Sequence, residues 1–241
     1  MRILVLQHHD AEHPGIFRDF MAEDGVDWDV VSLHRGDPLP DDPGAYDALI
    51  AMGGPMDVWE ETRFPWLAPE KRFIRAAIRD HDMPFLGCCL GHQLLAEAAG
   101  GTCRLLETPE IGVHEVQLSA AAADDALLAG LPAAFRVLQW HGAEVTRLPA
   151  DAEVLAHSPV SPVQALRVGE HAWGLQFHVE ATTSTVDEWG AIPEYAEALR
   201  RSCGDAALAR IRTDVTEELD AFHALARRVY DNFLQTATGR R

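Results

Sequence analysis

Two adjacent cysteines, Cys88 and Cys89, lie in a segment that predicts a sharp turn between a strand and a helix. The segment, residues 84–93, reads Pro-Phe-Leu-Gly-Cys-Cys-Leu-Gly-His-Gln. Gly87 and Gly91 flank the pair, and small neighbours let a strained residue at such a turn project its side chain. A helix N-terminus lowers the pKa of a nearby thiol. Cys89, midway between the glycines, is therefore a candidate nucleophile, and Cys88 would face the packing. The alternative is that both are buried core residues.

A thiol nucleophile needs a base, and the base needs a group that orients it. His178 follows the apolar run 174–177, and Glu180 lies two residues further on. Residues two apart in an extended chain point to the same side, so Glu180 can hold the imidazole. His141, with Glu144 three residues later, is the alternative base. We favour His178 because active residues of open α/β sheets gather at the carboxyl ends of strands.

A glycine-rich turn supplies the third element of a possible site. Gly53, Gly54 and Pro55 follow the apolar run Ala48–Met52. Glycines at the end of a central strand can expose unhindered backbone N–H groups. We expect the N–H of Gly54 and the N–H of Leu90 to form an oxyanion hole.

The elements that must position these residues alternate along the first part of the chain. Short apolar runs predict parallel strands buried on both faces: Ile3–Leu6, Val30–Leu33, Ala48–Met52 and Pro84–Leu86. Helical spacing of apolar residues predicts helices over Ile16–Ala22, Arg72–Arg79 and residues 90–98. Later apolar runs leave little room for helices and predict an antiparallel section: Val113–Leu118, Phe135–Trp140, Glu153–Ala156, Val163–Val168 and Ala172–Phe177.

The end of the chain returns to helical spacing. Apolar residues recur at three- and four-residue intervals from Leu208 to Phe233. This pattern predicts a long helix that docks on the domain, or alternatively one that binds a partner. The expected fold is α/β: a flavodoxin-like open, mostly parallel sheet flanked by helices, with an additional small antiparallel section and a C-terminal helix. We expect a single domain over residues 1–241, with a core at about 1–181 and a helical extension over 182–241.

Composition limits the class of partner. The chain has 241 residues, 47% of them hydrophobic, which suits one large domain. Its 20 basic and 38 acidic side chains give a formal net charge of -18, which repels phosphate backbones and anionic membrane surfaces. No apolar stretch approaches the roughly 18 residues that span a bilayer, and no secretory leader is recognised. We expect a cytoplasmic protein with reduced cysteines that binds neither nucleic acid nor membrane.

Taken together, the three segments resemble the class I (triad) glutamine amidotransferases. Residues 84–93 fit that family's elbow pattern throughout, with Cys88 in the variable apolar slot and Cys89 as the nucleophile. The Gly-Gly-Pro turn is similar to the family's oxyanion loop, and His178 and Glu180 to its other triad members. Residues 110–112 are similar to a segment of the branch that includes the glutaminase part of GMP synthetase. The resemblance runs over about residues 1–181.

The resemblance implies attack of a thiolate on the side-chain amide of glutamine, release of ammonia and hydrolysis of a γ-glutamyl thioester. The implied substrate-binding residues are Gly53, Gln93, Trp140, His141 and Gly142. It implies no cofactor and no metal. Two departures from the family pattern are Val179, where proline is usual, and Trp140, where a small polar residue is commoner. No acceptor domain is recognised in the chain, so a separate synthetase subunit is the expected partner.

Three other interpretations remain open. One is a stand-alone γ-glutamyl peptidase that uses the same Cys-His-Glu triad on amides larger than glutamine. Another is a non-catalytic binding module on the same scaffold. The third is a metalloprotein that uses side chains in the loop after the first strand: His8, His9, Asp10 and His13. These four lack regular ligand spacing, so we expect solvated loop histidines instead.

Overall fold

The computed structural model describes residues 1–239. Most of the apolar runs singled out in the sequence are strands in it. The strands are β1 (Arg2–Gln7), β2 (Asp27–Ser32), β3 (Ala48–Ala51), β4 (Phe85–Cys88), β5 (Thr102–Leu118), β6 (Ala134–Arg147), β7 (Ala152–His157), β8 (Ala165–Val168) and β9 (Ala172–Leu175). The α-helices are α1 (Phe17–Glu23), α2 (Leu67–Arg79), α3 (Leu90–Ala98), α4 (Thr185–Gly190), α5 (Pro193–Cys203) and α6 (Ala207–Thr238). Short 3-10 helices cover Leu33–Arg35, Pro43–Ala45 and Ala120–Asp124.

Within residues 1–239 these strands form one sheet of nine, in the order β2-β1-β3-β4-β9-β8-β7-β5-β6. The five strands from β2 to β9 in that order pair in parallel. The pairs from β9 to β6 are antiparallel. The expected open α/β sheet with an antiparallel section is confirmed, and that section contributes four strands, β5 to β8.

The parallel half places two predicted site segments side by side. Strand β4 pairs directly with β9, with Cys88 opposite Leu175. Both strands run in the same direction, so their carboxyl ends lie at one edge of the sheet. The residues that follow them, Cys89 and His178, therefore come together there.

Helices cover both faces of the sheet because successive strand residues point to opposite sides. On β1, Ile3 and Val5 pack in a cluster with α1 and α6, whereas Leu4 and Leu6 pack in a cluster with α2 and α3. The predicted docking of the C-terminal helix is confirmed. Helix α6 buries these side chains: Ile211, Val215, Phe222, Leu225, Ala226, Val229, Tyr230 and Phe233.

A third apolar cluster joins the end of the chain to the antiparallel section. Leu138 and Trp140 on β6 pack against residues of α4, α5 and α6, including Trp189 and Tyr195. The residues after 181 build helices α4 to α6. Residues 240 and 241 of the predicted extension lie outside the described part of the chain. No helix within residues 1–239 is both long enough and apolar enough to cross a membrane.

Candidate active site

Cys89 lies at the turn between β4 and α3 in a conformation that L-residues rarely adopt. Its φ is 50° and its ψ is -100°, and the residue directly precedes the first turn of α3. The turn is tight: a Cβ on Gly91 would lie 2.1 Å from the carbonyl oxygen of Ala51 on β3. Because Gly91 has no Cβ, its backbone can approach β3 closely, and its N–H donates to Met52 O at 3.1 Å. Backbone strain of this kind persists only where the surrounding structure holds it, as it does here.

Cys88 lies on the other side of the chain. Its side chain is fully buried in the cluster beneath the sheet, with Leu86 and Leu175. Burial raises the pKa of the Cys88 thiol well above its ordinary value. The structure therefore places Cys88 in the core and Cys89 at the wall of a cavity.

His178 and Glu180 lie beside Cys89 and are almost fully buried. His178 Nδ1 lies 2.7 Å from Glu180 Oε1, which leaves the other ring nitrogen available to the Cys89 thiol. The Cys89 thiol donates to Trp140 O at 3.9 Å. The His178 backbone N–H donates to Leu138 O at 2.9 Å. The ring of Trp189 packs edge-on against the imidazole, with 4.4 Å between ring centroids. Three contacts, with Glu180, Leu138 and Trp189, thus fix the orientation of His178.

Charges within the site set the protonation of the two groups. Burial raises the pKa of Cys89, and the positive charge of the neighbouring His178 opposes that effect. The pKa of Cys89 is therefore raised, whereas the position of Cys89 at a helix N-terminus had predicted a lowered pKa. Burial also disfavours charged His178, but the charge of the Glu180 carboxylate and its hydrogen bond to the imidazole hold the pKa of His178 well above the ordinary value. The proton of the thiol therefore has an acceptor inside the site.

Two backbone N–H groups predicted to act together lie next to Cys89. Gly54 and Leu90 both line the cavity, and a Cβ on Gly54 would lie 2.8 Å from Leu90 Cδ2. Within residues 1–239 neither N–H donates to a protein acceptor. The arrangement offers two free donors to a negative oxygen that develops on a group bound to the Cys89 sulfur.

The residues expected to bind substrate line a cavity of about 710 Å³. Gln93, Trp140, His141 and Gly142 contribute to its wall. Gly53, the fifth residue expected there, packs against Glu12 instead. Gln93 is held by a hydrogen bond from its Nε2 to Gln176 Oε1, at 3.1 Å.

The His141 ring serves a buried network instead of facing a substrate. Its Nδ1 lies 2.9 Å from Ala143 O, and its Nε2 lies 3.2 Å from Glu110 Oε2. The same Glu110 oxygen accepts hydrogen bonds from Ser158 and Gln164. Both ring nitrogens of His141 are therefore engaged within the protein and are not available to a ligand.

The pairing of His141 with Glu144, weighed in the sequence as an alternative base and orienter, does not occur. Glu144 forms an ion pair with Arg104, with 3.0 Å between the guanidinium nitrogen and the carboxylate oxygen. His141 and Glu144 lie three residues apart on β6. Side chains three apart on a strand point to opposite faces, so these two cannot meet.

Three further residues of the site have no motif in the sequence. Glu12 is buried beside Gly53, and its carboxylate accepts a hydrogen bond from the Tyr195 hydroxyl. Tyr195 and Trp189 lie on α5 and α4, and both pack against Trp140. The sequence predicts a helical extension over residues 182–241 but does not place α4 or α5 within it, so the residues they carry could not be assigned to the site.

The four residues considered as metal ligands turn to different partners, and the expectation of solvated loop histidines is wrong for His8, which is fully buried. His8 contacts Glu70, His9 stacks on His34, Asp10 pairs with Arg35, and His13 lies 3.3 Å from Glu188. Within the described residues, no group of three or more histidine, cysteine, aspartate or glutamate side chains could hold a metal ion.

Fold and site together define an open-sheet α/β protein with a strained thiol at a strand-to-helix turn and a buried histidine–carboxylate pair beside it. The chain belongs to the class-I glutamine amidotransferase family, whose family model matches residues 17–189.

Comparison with individual proteins gives the same family. The chain is 32% identical over 221 residues to the GMP synthase [glutamine-hydrolyzing] of Aeropyrum pernix, covering 83% of this chain and 40% of that protein. It is 33% identical over 136 residues to one subunit of the GMP synthase [glutamine-hydrolyzing] of Sulfolobus acidocaldarius, covering 56% of this chain and 68% of that subunit. A glutamine amidotransferase structure from Thermotoga maritima matches with a TM-score of 0.86 and 27% identity, over 98% of both chains. The chain thus spans less than half the length of the Aeropyrum synthase.

Proposed function

We propose that this chain hydrolyses the side-chain amide of glutamine through a γ-glutamyl thioester on Cys89. The observation that carries the proposal is that one site combines the Cys89 thiol, the His178–Glu180 pair and the free N–H groups of Gly54 and Leu90. Membership of the amidotransferase family supports glutamine as the substrate, as do relatives named as glutamine-hydrolysing.

In this mechanism the Cys89 sulfur attacks the amide carbon while its proton passes to His178. The carbonyl oxygen becomes negative and accepts hydrogen bonds from the N–H groups of Gly54 and Leu90. The carbon–nitrogen bond then breaks, and His178 returns the proton to the departing ammonia. His178 next takes a proton from water, which attacks the thioester carbon, releases glutamate and restores the thiol.

We infer that the ammonia acceptor is bound by a separate synthetase subunit. The matching relative from Sulfolobus acidocaldarius is named as one subunit of a GMP synthase, which indicates that this domain type occurs apart from its acceptor domain. The reaction would take place in the cytoplasm, where the four free cysteines remain reduced.

The size of the cavity supports a second candidate, a γ-glutamyl peptidase with the same three residues. At about 710 Å³, the cavity lies within the range of about 300–1,000 Å³ that accommodates ligands larger than an amino acid. Its outer wall is formed by α5, through Tyr195, Ala198 and Arg201. A group attached to the γ-amide nitrogen would extend toward this wall.

Steady-state assays on the purified chain test both candidates by following ammonia or amine release from glutamine and from γ-glutamyl dipeptides. Cys89→Ser should reduce turnover by about 10⁴-fold or more, as loss of a nucleophile does elsewhere. Cys88→Ala is the matched control and should keep kcat near the wild-type value. Activity that survives Cys89→Ser would refute the role of Cys89. Fast turnover of dipeptides with glutamine a poor substrate would replace the first candidate by the second.

A further inference from the structure

A further buried histidine–carboxylate pair, besides those of His178 and His141, lies beneath the Gly53–Gly54 turn. His8 follows β1, Glu70 lies in the first turn of α2, and both side chains are fully buried, at 0% exposure. His8 Nε2 lies 2.8 Å from Glu70 Oε1, and His8 Nδ1 lies 2.9 Å from Gly53 O. The imidazole also stacks on Trp66, with 5.4 Å between ring centroids.

The hydrogen-bond partners determine which nitrogen of His8 carries hydrogen. A carbonyl oxygen can only accept, so Nδ1 must donate to Gly53 O. Nε2 and Glu70 share one further proton, and Nδ1 keeps its hydrogen wherever that proton lies. Burial lowers the pKa of His8, but the charge and hydrogen bond of Glu70 and the Gly53 carbonyl outweigh it and raise the pKa. A donor to Gly53 O is therefore always present.

The planarity of the peptide bond extends this contact into the candidate active site. In a trans peptide the carbonyl oxygen and the following N–H point in opposite directions. Because His8 holds Gly53 O on the buried side, the N–H of Gly54 points away from His8, and Gly54 lines the same cavity as Cys89. If the peptide flipped, Nδ1–H of fully buried His8 would lose its acceptor.

The turn itself needs this support. Two successive glycines have wide conformational freedom, so on their own they would not hold an N–H in one direction. A donor stabilises a developing oxyanion only if it is oriented before the reaction. On the other side of the turn, a Cβ on Gly53 would lie 2.4 Å from Glu12 Oε2, so the peptide is enclosed between two buried side chains.

We propose that His8, held by Glu70, is a positioning residue that orients the Gly53–Gly54 peptide so that its N–H stabilises the oxyanion formed during attack by Cys89. The inference rests on the proposed function of Cys89. It assigns to the His8–Glu70 pair an effect on the transition state that does not involve contact with the substrate.

Two substitutions separate the donor from the rest of the side chain. His8→Asn places an amide nitrogen near the position of Nδ1 and can still donate to Gly53 O. His8→Gln reaches toward Glu70 instead and leaves Gly53 O without its donor. Loss of one oxyanion-hole donor lowers kcat by about 10²–10³-fold, so disorder of that donor in His8→Gln should lower kcat by about 10–100-fold with little change in KM. His8→Asn should recover most of the rate, and His9→Asn is the control.

Two probes distinguish lost oxyanion stabilisation from damage to the thiol. Iodoacetamide alkylates a thiolate at a saturated carbon and forms no oxyanion, so its rate with Cys89 should not change in His8→Gln. The γ-aldehyde analogue of glutamate forms a tetrahedral thiohemiacetal, so its affinity should fall by the same factor as kcat/KM. Thermal unfolding of each variant establishes that it is folded. In the wild-type protein, formation of the aldehyde adduct should move the Gly54 amide proton downfield, a readout that needs no variant.

Several results would overturn the inference. These are an unchanged kcat in folded His8→Gln, an alkylation rate that falls as much as kcat, and a Gly54 amide resonance that the adduct leaves in place. A wild-type chain that hydrolyses neither glutamine nor γ-glutamyl dipeptides would refute the proposed function and this inference with it. That outcome is distinct from an active wild type whose His8 variants fail these tests.

Discussion

Glu12 makes the stability of the protein depend on pH in a direction opposite to that of most carboxylates. It is 1% exposed and lies near His178, Glu180 and His8. Burial raises its pKa from 4.5 to about 7, although the charge of His178 and the hydrogen bond from Tyr195 act to lower it. Native Glu12 therefore binds its proton more tightly than unfolded Glu12. Its contribution to stability is lost as the pH rises from about 4.5 through about 7.

The magnitude follows from the two pKa values. One pKa unit corresponds to about 1.4 kcal/mol. With pKa values of 4.5 in the unfolded chain and about 7 in the native one, linkage gives a loss of about 2 kcal/mol in the free energy of unfolding between pH 5.5 and pH 8. This range stays above the isoelectric point of about 4.9, so the charged protein remains in solution.

The Glu12→Gln variant tests this value because glutamine resembles the protonated acid and does not titrate. Tyr195 can still donate to the amide oxygen, so the local geometry is kept. Urea unfolding of both proteins should show that the variant gains about 2 kcal/mol relative to wild type between pH 5.5 and pH 8. Glu217→Gln, at an exposed position on α6, should show no such gain. If the free energy of unfolding changed with pH in the same way in wild type and in Glu12→Gln, the reasoning would be refuted.

Three further predictions concern the geometry of the site. Gly91→Ala should lower kcat/KM by about 100-fold, because its Cβ must move from 2.1 Å to ordinary contact at 3.4 Å from Ala51 O and so displaces α3; normal kinetics in a folded variant would contradict this. Trp189→Leu should lower kcat by about tenfold by loosening the His178 ring it packs against, and steady-state rates measure it. His178→Asn should lower kcat by about 10⁶-fold and Glu180→Gln by about 10⁴-fold, and equal losses would contradict their distinct roles.

The parallel half of the sheet was predictable because its strands are short apolar runs that alternate along the chain with helical patterns. The approach of Cys89 to His178 follows from the shared direction of β4 and β9. The turn at Cys89 was predictable for a different reason, since the spacing of Gly87 and Gly91 has a direct steric cause. A side chain at Gly91 would overlap the backbone of β3.

Prolines account for two errors in element length. Helix α2 was predicted from Arg72 but begins at Leu67, because Pro69 lies in its first turn, where a missing N–H costs little. Strand β5 was predicted from Val113 but begins at Thr102, because Pro109 is accommodated where the register shifts between Leu105 and Glu110.

Buried polar contacts were beyond local sequence patterns. Glu70 lies on the otherwise apolar face of α2, and only the fold shows that His8, 62 residues away, is its partner. The same holds for Glu110 and His141, which pair across β5 and β6. Nothing in the residues next to either histidine specifies a carboxylate from another element.

The family motifs and the walls of the site lie in different parts of the chain. All three residues of the proposed triad precede residue 182, yet Trp189 packs on His178 and Tyr195 lines the cavity from helices that follow it. Residues 182–239 are therefore part of the site and not only a support for the sheet. The Thermotoga structure, which matches over 98% of both chains, shares this whole architecture. It follows that the residues of the proposed bond chemistry lie at the turns of the sheet, with His178 supported by α4, whereas α5 forms part of the cavity wall.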